Sequence, residues 1–306
     1  EIEDDYEIED SDLIQEYESR LMMIENQLLE KQSKIDELSS LKQGISNGVS
    51  SYHIGEYNEK ILEEALDEFE QELIGGVVFR PFHDPDQWNF VLDGAVRTCK
   101  ALMAHGAKHL VLIDSISPRR APTAGRPDEA EQMNSTEWKA FKDRIEAVAK
   151  IGTEEYGLLV GIHAHAAGFI DFEPELERIL QEVDESYLKI CFDTGHHSYA
   201  GYDPVKFMER HIQRISYMHF KDINPIVKAD VVSNRTDFYS ACGQGIFCNL
   251  GDGDVDFKLV RKLLLENNFD GWCTVEQDCD PEGKTSPLDD AKINRKYLEA
   301  IGFKNT

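Results

Sequence analysis

The chain has 306 residues, 41% of them hydrophobic, enough for one barrel of about 250 residues and an extension of about 50. Its formal net charge is −27, from 59 Asp/Glu against 32 Lys/Arg, which argues against DNA, RNA or an anionic membrane surface as a partner. The charge is uneven: residues 1–74 hold 22 Asp/Glu and 5 Lys/Arg, so −17 of the total falls in the first quarter.

Residues 1–12 are acidic and featureless, and disorder is expected there. From 13 to 41 the pattern is helical: Leu21, Ile24, Leu28, Ile35 and Leu38 follow a 3-4 spacing, with Lys31 interrupting the stripe. Such a stripe packs on its own domain or joins copies of the chain into a homo-oligomer, and the sequence leaves both open. Gly44, Asn47 and Gly48 break the pattern. A second amphipathic helix follows, with Tyr57, Ile61, Leu62, Ala65, Leu66, Phe69 and Leu73 on one side.

After Gly75-Gly76 the texture changes. Apolar runs at 77–79, 110–113, 158–162, 188–192, 215–218 and 272–275 alternate with helical stretches near 86–105, 135–154, 173–183, 204–213, 254–267 and 286–301. That alternation is the signature of parallel βα units, and continuous apolar strands fit a sheet covered on both faces. The expectation is an α/β, TIM-barrel-like (β/α) fold over 75–306, with six recognisable units where a full barrel has eight. An acidic helical extension over 1–74 stands in place of the first two units; its best strand candidate is 49–54.

The six cysteines (Cys99, Cys191, Cys242, Cys248, Cys273 and Cys279) form no CxxC pair, and three of them lie inside apolar helix or strand patterns. This reads as free thiols in a reducing compartment, and a cytoplasmic location is expected. No apolar run is long enough to span a membrane and no signal-peptide pattern is visible.

In a parallel barrel the chemistry sits just past the carboxyl ends of the strands. The first run leads into Arg80-Pro81-Phe82-His83-Asp84, and the second into Asp114 and a loop with Arg119, Arg120 and Arg126. The next four lead into His163-Ala164-His165, Asp193-Thr194-Gly195-His196-His197, His219-Phe220-Lys221-Asp222 and Glu276-Gln277-Asp278. Four consecutive strands therefore end in metal-capable side chains: His163, Asp193, His219 and Glu276. Two imidazoles with two carboxylates suit a divalent ion, Mn²⁺ or Co²⁺ first, with Mg²⁺ or Zn²⁺ as alternatives. His196 and His165 are the candidate proton carriers, because imidazole titrates near neutral pH. Lys221 is a candidate to stabilise an enolate or protonate a leaving group. The long stretch 222–252, with Gly243, Gly245, Gly251 and Gly253 in and just after it, reads as a loop: a cover for the site, or a plain surface insertion.

The stretch Cys-Phe-Asp-Thr-Gly-His-His-Ser-Tyr-Ala-Gly-Tyr-Asp-Pro from Cys191 is followed by Tyr-Met-His-Phe-Lys-Asp from Tyr217. Gly-Asp-Gly-Asp-Val-Asp-Phe from Gly251 and Gly-Trp-Cys-Thr-Val-Glu-Gln-Asp from Gly271 complete the set. In these motifs the sequence resembles the xylose isomerase-like superfamily of sugar phosphate isomerases and epimerases, and within it the inosose dehydratases, over about 75–303. The resemblance implies Asp193, His219 and Glu276 as metal ligands. Where the family commonly has a Glu at the end of its fifth strand, this sequence has His163, with His165 two residues on, as in inosose dehydratase-like members. It also implies that His196 and Lys221 face the substrate. His83, Asp222, Arg119, Arg120 and Arg126 are expected to help hold that substrate, a small sugar or cyclitol. The implied activity is that of a divalent-metal-dependent lyase that enolises a keto-polyol and eliminates water. A sugar isomerase or epimerase using the same metal site, and an inactive barrel serving as an interaction protein, are the alternatives. Family members begin with two more βα units, which are not recognised here.

Overall fold

The computed structural model describes residues 51–52, 59–278 and 286–303, all within one compact unit, Ile45–Thr306. The expectations for 1–12 and for the helix over 13–41, with any self-association through it, lie outside the described residues, as does Cys279.

All six strands expected from the sequence are present: β2 (Gly75–Arg80), β3 (His109–Asp114), β4 (Leu159–Ile162), β5 (Lys189–Asp193), β6 (Ile215–Phe220) and β9 (Trp272–Val275). A short β1 (Ser51–Tyr52), inside the weak candidate at 49–54, pairs in parallel with Gly75 and Gly76 and adds a seventh strand at the edge. The strand order is β1-β2-β3-β4-β5-β6-β9, parallel throughout. Helix α1 (Glu59–Glu68) connects β1 to β2, so the sheet starts ahead of residue 75.

The physical basis of the sheet is burial on both faces. Every residue of β3 is buried. One face packs Val77, Val111, Ile113, Cys191 and Tyr217 together, with Ile74 and Phe79 against them. Helices cover the other face: α2 (Trp88–Ala104) buries Val91, Ala95, Cys99 and Leu102, and α3 (Ser135–Lys150) buries Trp138, Phe141, Ile145 and Val148. The chain marks where these helices begin. Asn134 and Glu137 close a capping box ahead of α3. Asp203 caps α6 (Pro204–His211), whose first residue is a proline preset for the first turn. The described cysteines are free thiols.

The stretch 222–252 corrects the loop expected from its glycines. It folds into β7 (Asp222–Ile223), α7 (Pro225–Ser233), α8 (Phe238–Gly243) and β8 (Phe247–Cys248), with β7 and β8 paired antiparallel. Ile223, Val231, Phe238, Ala241, Ile246 and Phe247 make a core with Ala166, Ala167 and Tyr199. This folded insertion packs beside the carboxyl ends of β4 and β5.

Candidate metal centre

The four strand ends deliver their side chains to one place. His163 directly follows β4, Asp193 ends β5, His219 lies in β6 opposite Asp193 in register, and Glu276 directly follows β9. One ligand atom from each residue lies within 4.8 Å of all the others. His163 Nε2 is 3.5 Å from Asp193 Oδ2, His219 Nδ1 is 3.7 Å from that same oxygen, and His219 Nδ1 is 2.9 Å from Glu276 Oε2. A divalent ion binds N and O donors at about 2.0–2.2 Å, which sets neighbouring donors roughly 3–4 Å apart.

The donors also fit such an ion in their bonding. Asp193 Oδ2 and both ring nitrogens of His219 are buried without a hydrogen-bond partner. Such atoms cost free energy unless something satisfies them. The 2.9 Å approach of His219 to Glu276 is therefore proximity without hydrogen-bond alignment. Asp193 is oriented through its other oxygen, Oδ1, which accepts the backbone N–H of His196 at 2.8 Å and caps α5 (Thr194–Tyr199). Burial opposes the charge on Asp193, but Lys221 and His163 hold its carboxyl below the usual range. Burial likewise opposes charge on Glu276, and His219 and Lys221 hold it well below that range.

The motif after β5 has a physical reason at each position. Thr194 Oγ1 donates to the Lys221 carbonyl at 2.7 Å and accepts the Lys221 N–H at 3.1 Å, tying α5 to the end of β6. Gly195 lies against the Lys221 side chain, where an added Cβ would come within 2.5 Å of Lys221 Cγ. Lys221 is 1% exposed, and its Nζ lies 2.9 Å from Asp278, 3.2 Å from Glu276 and 3.6 Å from Asp193. Burial works against its charge, yet Asp278, Glu276 and Asp193 outweigh that and hold the ammonium well above the ordinary lysine range.

His165 and His196 pack beside the centre, tilted to one another with ring centroids 4.2 Å apart, and His163 lies 5.8 and 5.4 Å from them. Burial, then the charges around them, push both imidazoles down, His165 to about 3 and His196 well below its ordinary value. Both rings are thus neutral at physiological pH. Phe238 and Phe247 of the insertion pack against His196, and Phe238 also against His165.

Other expected site residues are engaged elsewhere. Arg120 is 1% exposed and gives both terminal nitrogens to Glu175, at 2.6 and 3.1 Å. Its fork is filled by that carboxylate. Arg119 is paired with Glu131 and Glu137 on the surface. Arg126 donates to the carbonyls of Pro122 and Ala124 and pairs with Glu129. Their hydrogen-bond and ion-pair partners among the described residues lie within 122–137, so these two guanidinium groups brace the loop ahead of α3. The buried carboxylate of Asp222 accepts the backbone N–H groups of Ile223, Gly251, Gly253 and Val255 and so pins the turn before α9 (Phe257–Glu266). His83 holds Asp114 Oδ1 through Nδ1 at 2.8 Å, and Asp114 Oδ2 accepts the N–H of Phe169. Sequence reasoning missed Asp278, the nearest carboxylate to Lys221. Its signal was its place two residues after Glu276, at the same strand end.

A curled parallel sheet with a metal-capable cluster at its carboxyl end defines a class. Residues 47–301 match the family model of the xylose isomerase-like TIM barrel, and the chain belongs to that family. It is 32% identical over 184 residues to inosose dehydratase of Geobacillus kaustophilus, covering 60% of this chain and 58% of that protein. With inosose dehydratase of Salmonella typhimurium the identity is 28% over 243 residues, covering 75% and 79%. The fold is shared with the crystal structure of the IolI protein with a bound zinc atom, at a TM-score of 0.61 and 13% identity, over 85% of this chain and 91% of that one.

Proposed function

We propose that this protein is a divalent-metal-dependent dehydratase of the inosose dehydratase type, acting on a keto-polyol or cyclitol ketone in the cytoplasm. The observation that supports this reading best is the meeting of His163, Asp193, His219 and Glu276 within 4.8 Å, beside two neutral imidazoles and a buried ammonium. A divalent ion held by those four residues, Mn²⁺ or Co²⁺ first, supplies Lewis acidity towards a carbonyl oxygen and a neighbouring hydroxyl.

The remaining work belongs to the chain. The two imidazoles stand ready to exchange hydrogen bonds and a proton with the substrate's C–H and oxygen groups. Lys221, held cationic by three carboxylates, stabilises negative charge on a substrate oxygen. Phe238 and Phe247 form an apolar wall that limits water around the histidines. His83, held by Asp114, is a candidate to contact the substrate. Among the described residues no helix is long and apolar enough to cross a membrane, in keeping with a small polar substrate met in solution.

The test is to incubate the Mn²⁺-loaded protein with 2-keto-myo-inositol and, in parallel, with simple ketoses, following ultraviolet absorbance and ketose composition. A growing enone band is expected. Ketose interconversion with no enone would replace this reading with the isomerase or epimerase one, and no conversion of either substrate would remove the enzymatic reading.

A further inference from the structure

The backbone of one residue touches both histidines beside the metal centre, through two successive peptide groups. The N–H of Ala166 donates to His196 Nδ1 at 3.3 Å, and the carbonyl of Ala166 is 2.9 Å from His165 Nδ1. Each contact has one chemical solution. A ring nitrogen that accepts from a backbone N–H must carry a lone pair, so in a neutral His196 the hydrogen sits on Nε2. A ring nitrogen bonded to a carbonyl oxygen must carry hydrogen, so in a neutral His165 the lone pair sits on Nε2.

We propose that the Ala166 backbone is a tautomer clamp that makes His165 an acceptor and His196 a donor at Nε2, and that the pair reads the hydroxyl and the oxygen of an α-hydroxyketone. Ala166 is fully buried and packs in the core that the insertion makes with Tyr199, which keeps the peptide planes on either side of it in place. The loop is held from the other side as well. His165 N–H donates to the Ile170 carbonyl, Gly168 N–H to the His165 carbonyl, and Ala167 N–H to Asp171 Oδ2 at 2.9 Å. The ring centroids lie 4.2 Å apart, close enough for one small ligand to meet the acceptor of one ring and the donor of the other. An α-hydroxyketone complements that pair, since its hydroxyl donates to one nitrogen and its neighbouring oxygen accepts from the other. A ketone with no adjacent hydroxyl fills only the donor half. The choice of ligand rests on the proposed function; the tautomers themselves do not.

The test is ¹⁵N NMR on the whole chain labelled at histidine, with His165→Gln and His196→Gln variants assigning the signals. His196 is expected to show an unprotonated Nδ1 and a protonated Nε2, and His165 the reverse. The same tautomer in both rings, or exchange-averaged signals, would overturn the clamp. Ala166→Pro removes the N–H and is expected to release His196 alone; if that variant fails to fold, the wild-type spectrum still decides. Adding 2-keto-myo-inositol is expected to move both Nε2 signals, whereas cyclohexanone moves only that of His196. An equal response to both ligands would overturn the α-hydroxyketone assignment. Opposite tautomers in a protein that forms no enone would retain the clamp and reject the dehydratase reading, so the two failures are distinguishable.

Discussion

Asp222 shows how a strand-end carboxylate serves structure. Its two oxygens receive four backbone N–H groups from 223, 251, 253 and 255, so it replaces a turn of secondary structure with one side chain. Burial raises its carboxyl despite those bonds, so its charge depends on their geometry. Asp222→Asn turns one acceptor into a donor facing N–H groups, and is expected to lower stability by about 2–4 kcal/mol. Urea denaturation read by circular dichroism measures it, and the KM of any retained activity is expected to stay within about 2-fold. A large rise in KM with unchanged stability would restore the substrate-binding reading. Gly195 is the complementary case, since its missing side chain is what lets Lys221 lie against α5.

The loop 165–171 and the buried carboxylate at its end show what an element needs in order to hold a site. Burial raises Asp171 from 3.8 to about 7, with the Ala167 N–H and Arg120 only partly offsetting it and Glu175 adding to it. The folded protein therefore holds a proton that the unfolded chain has released over that window. This group's contribution to stability is greatest below about pH 4, falls as the pH rises, and levels off above about pH 7. The stability difference between the wild type and Asp171→Asn is expected to shift against the wild type by on the order of 2–4 kcal/mol between pH 4 and pH 8. Thermal melts of both proteins across that range would show it, and a pH-independent difference would refute it.

The same scale explains what could be read beforehand. The four metal-capable residues were legible because each ends an apolar run, and a parallel sheet brings such ends together whatever the loops do. The partners of Arg120 were not, since Glu175 lies 55 residues away and only the packed fold brings them together. The insertion read as a loop because its apolar residues follow no single period. In α7 Ile226 is exposed and Val231 buried, and the helix is held by contacts to Tyr199 and its neighbours more than by one apolar face. β1 has only two residues and showed no more than a weak apolar signal.

Across the whole molecule the excess negative charge is concentrated in residues 1–74, while the cluster of His163, Asp193, His219 and Glu276 leaves Asp193 Oδ2 and both ring nitrogens of His219 buried without a hydrogen-bond partner. Binding that favours the folded state stabilises it by mass action, about 2.7 kcal/mol when the ion is at 100 times its Kd. The most direct measurement is the divalent metal content of the purified chain after dialysis against Mn²⁺, wild type beside Asp193→Asn, with melting temperature recorded on both. The account predicts one ion per wild-type chain, a higher melting temperature with metal, and at least about 100-fold weaker binding in the variant. Equal metal content and equal melting behaviour in the two proteins would contradict it.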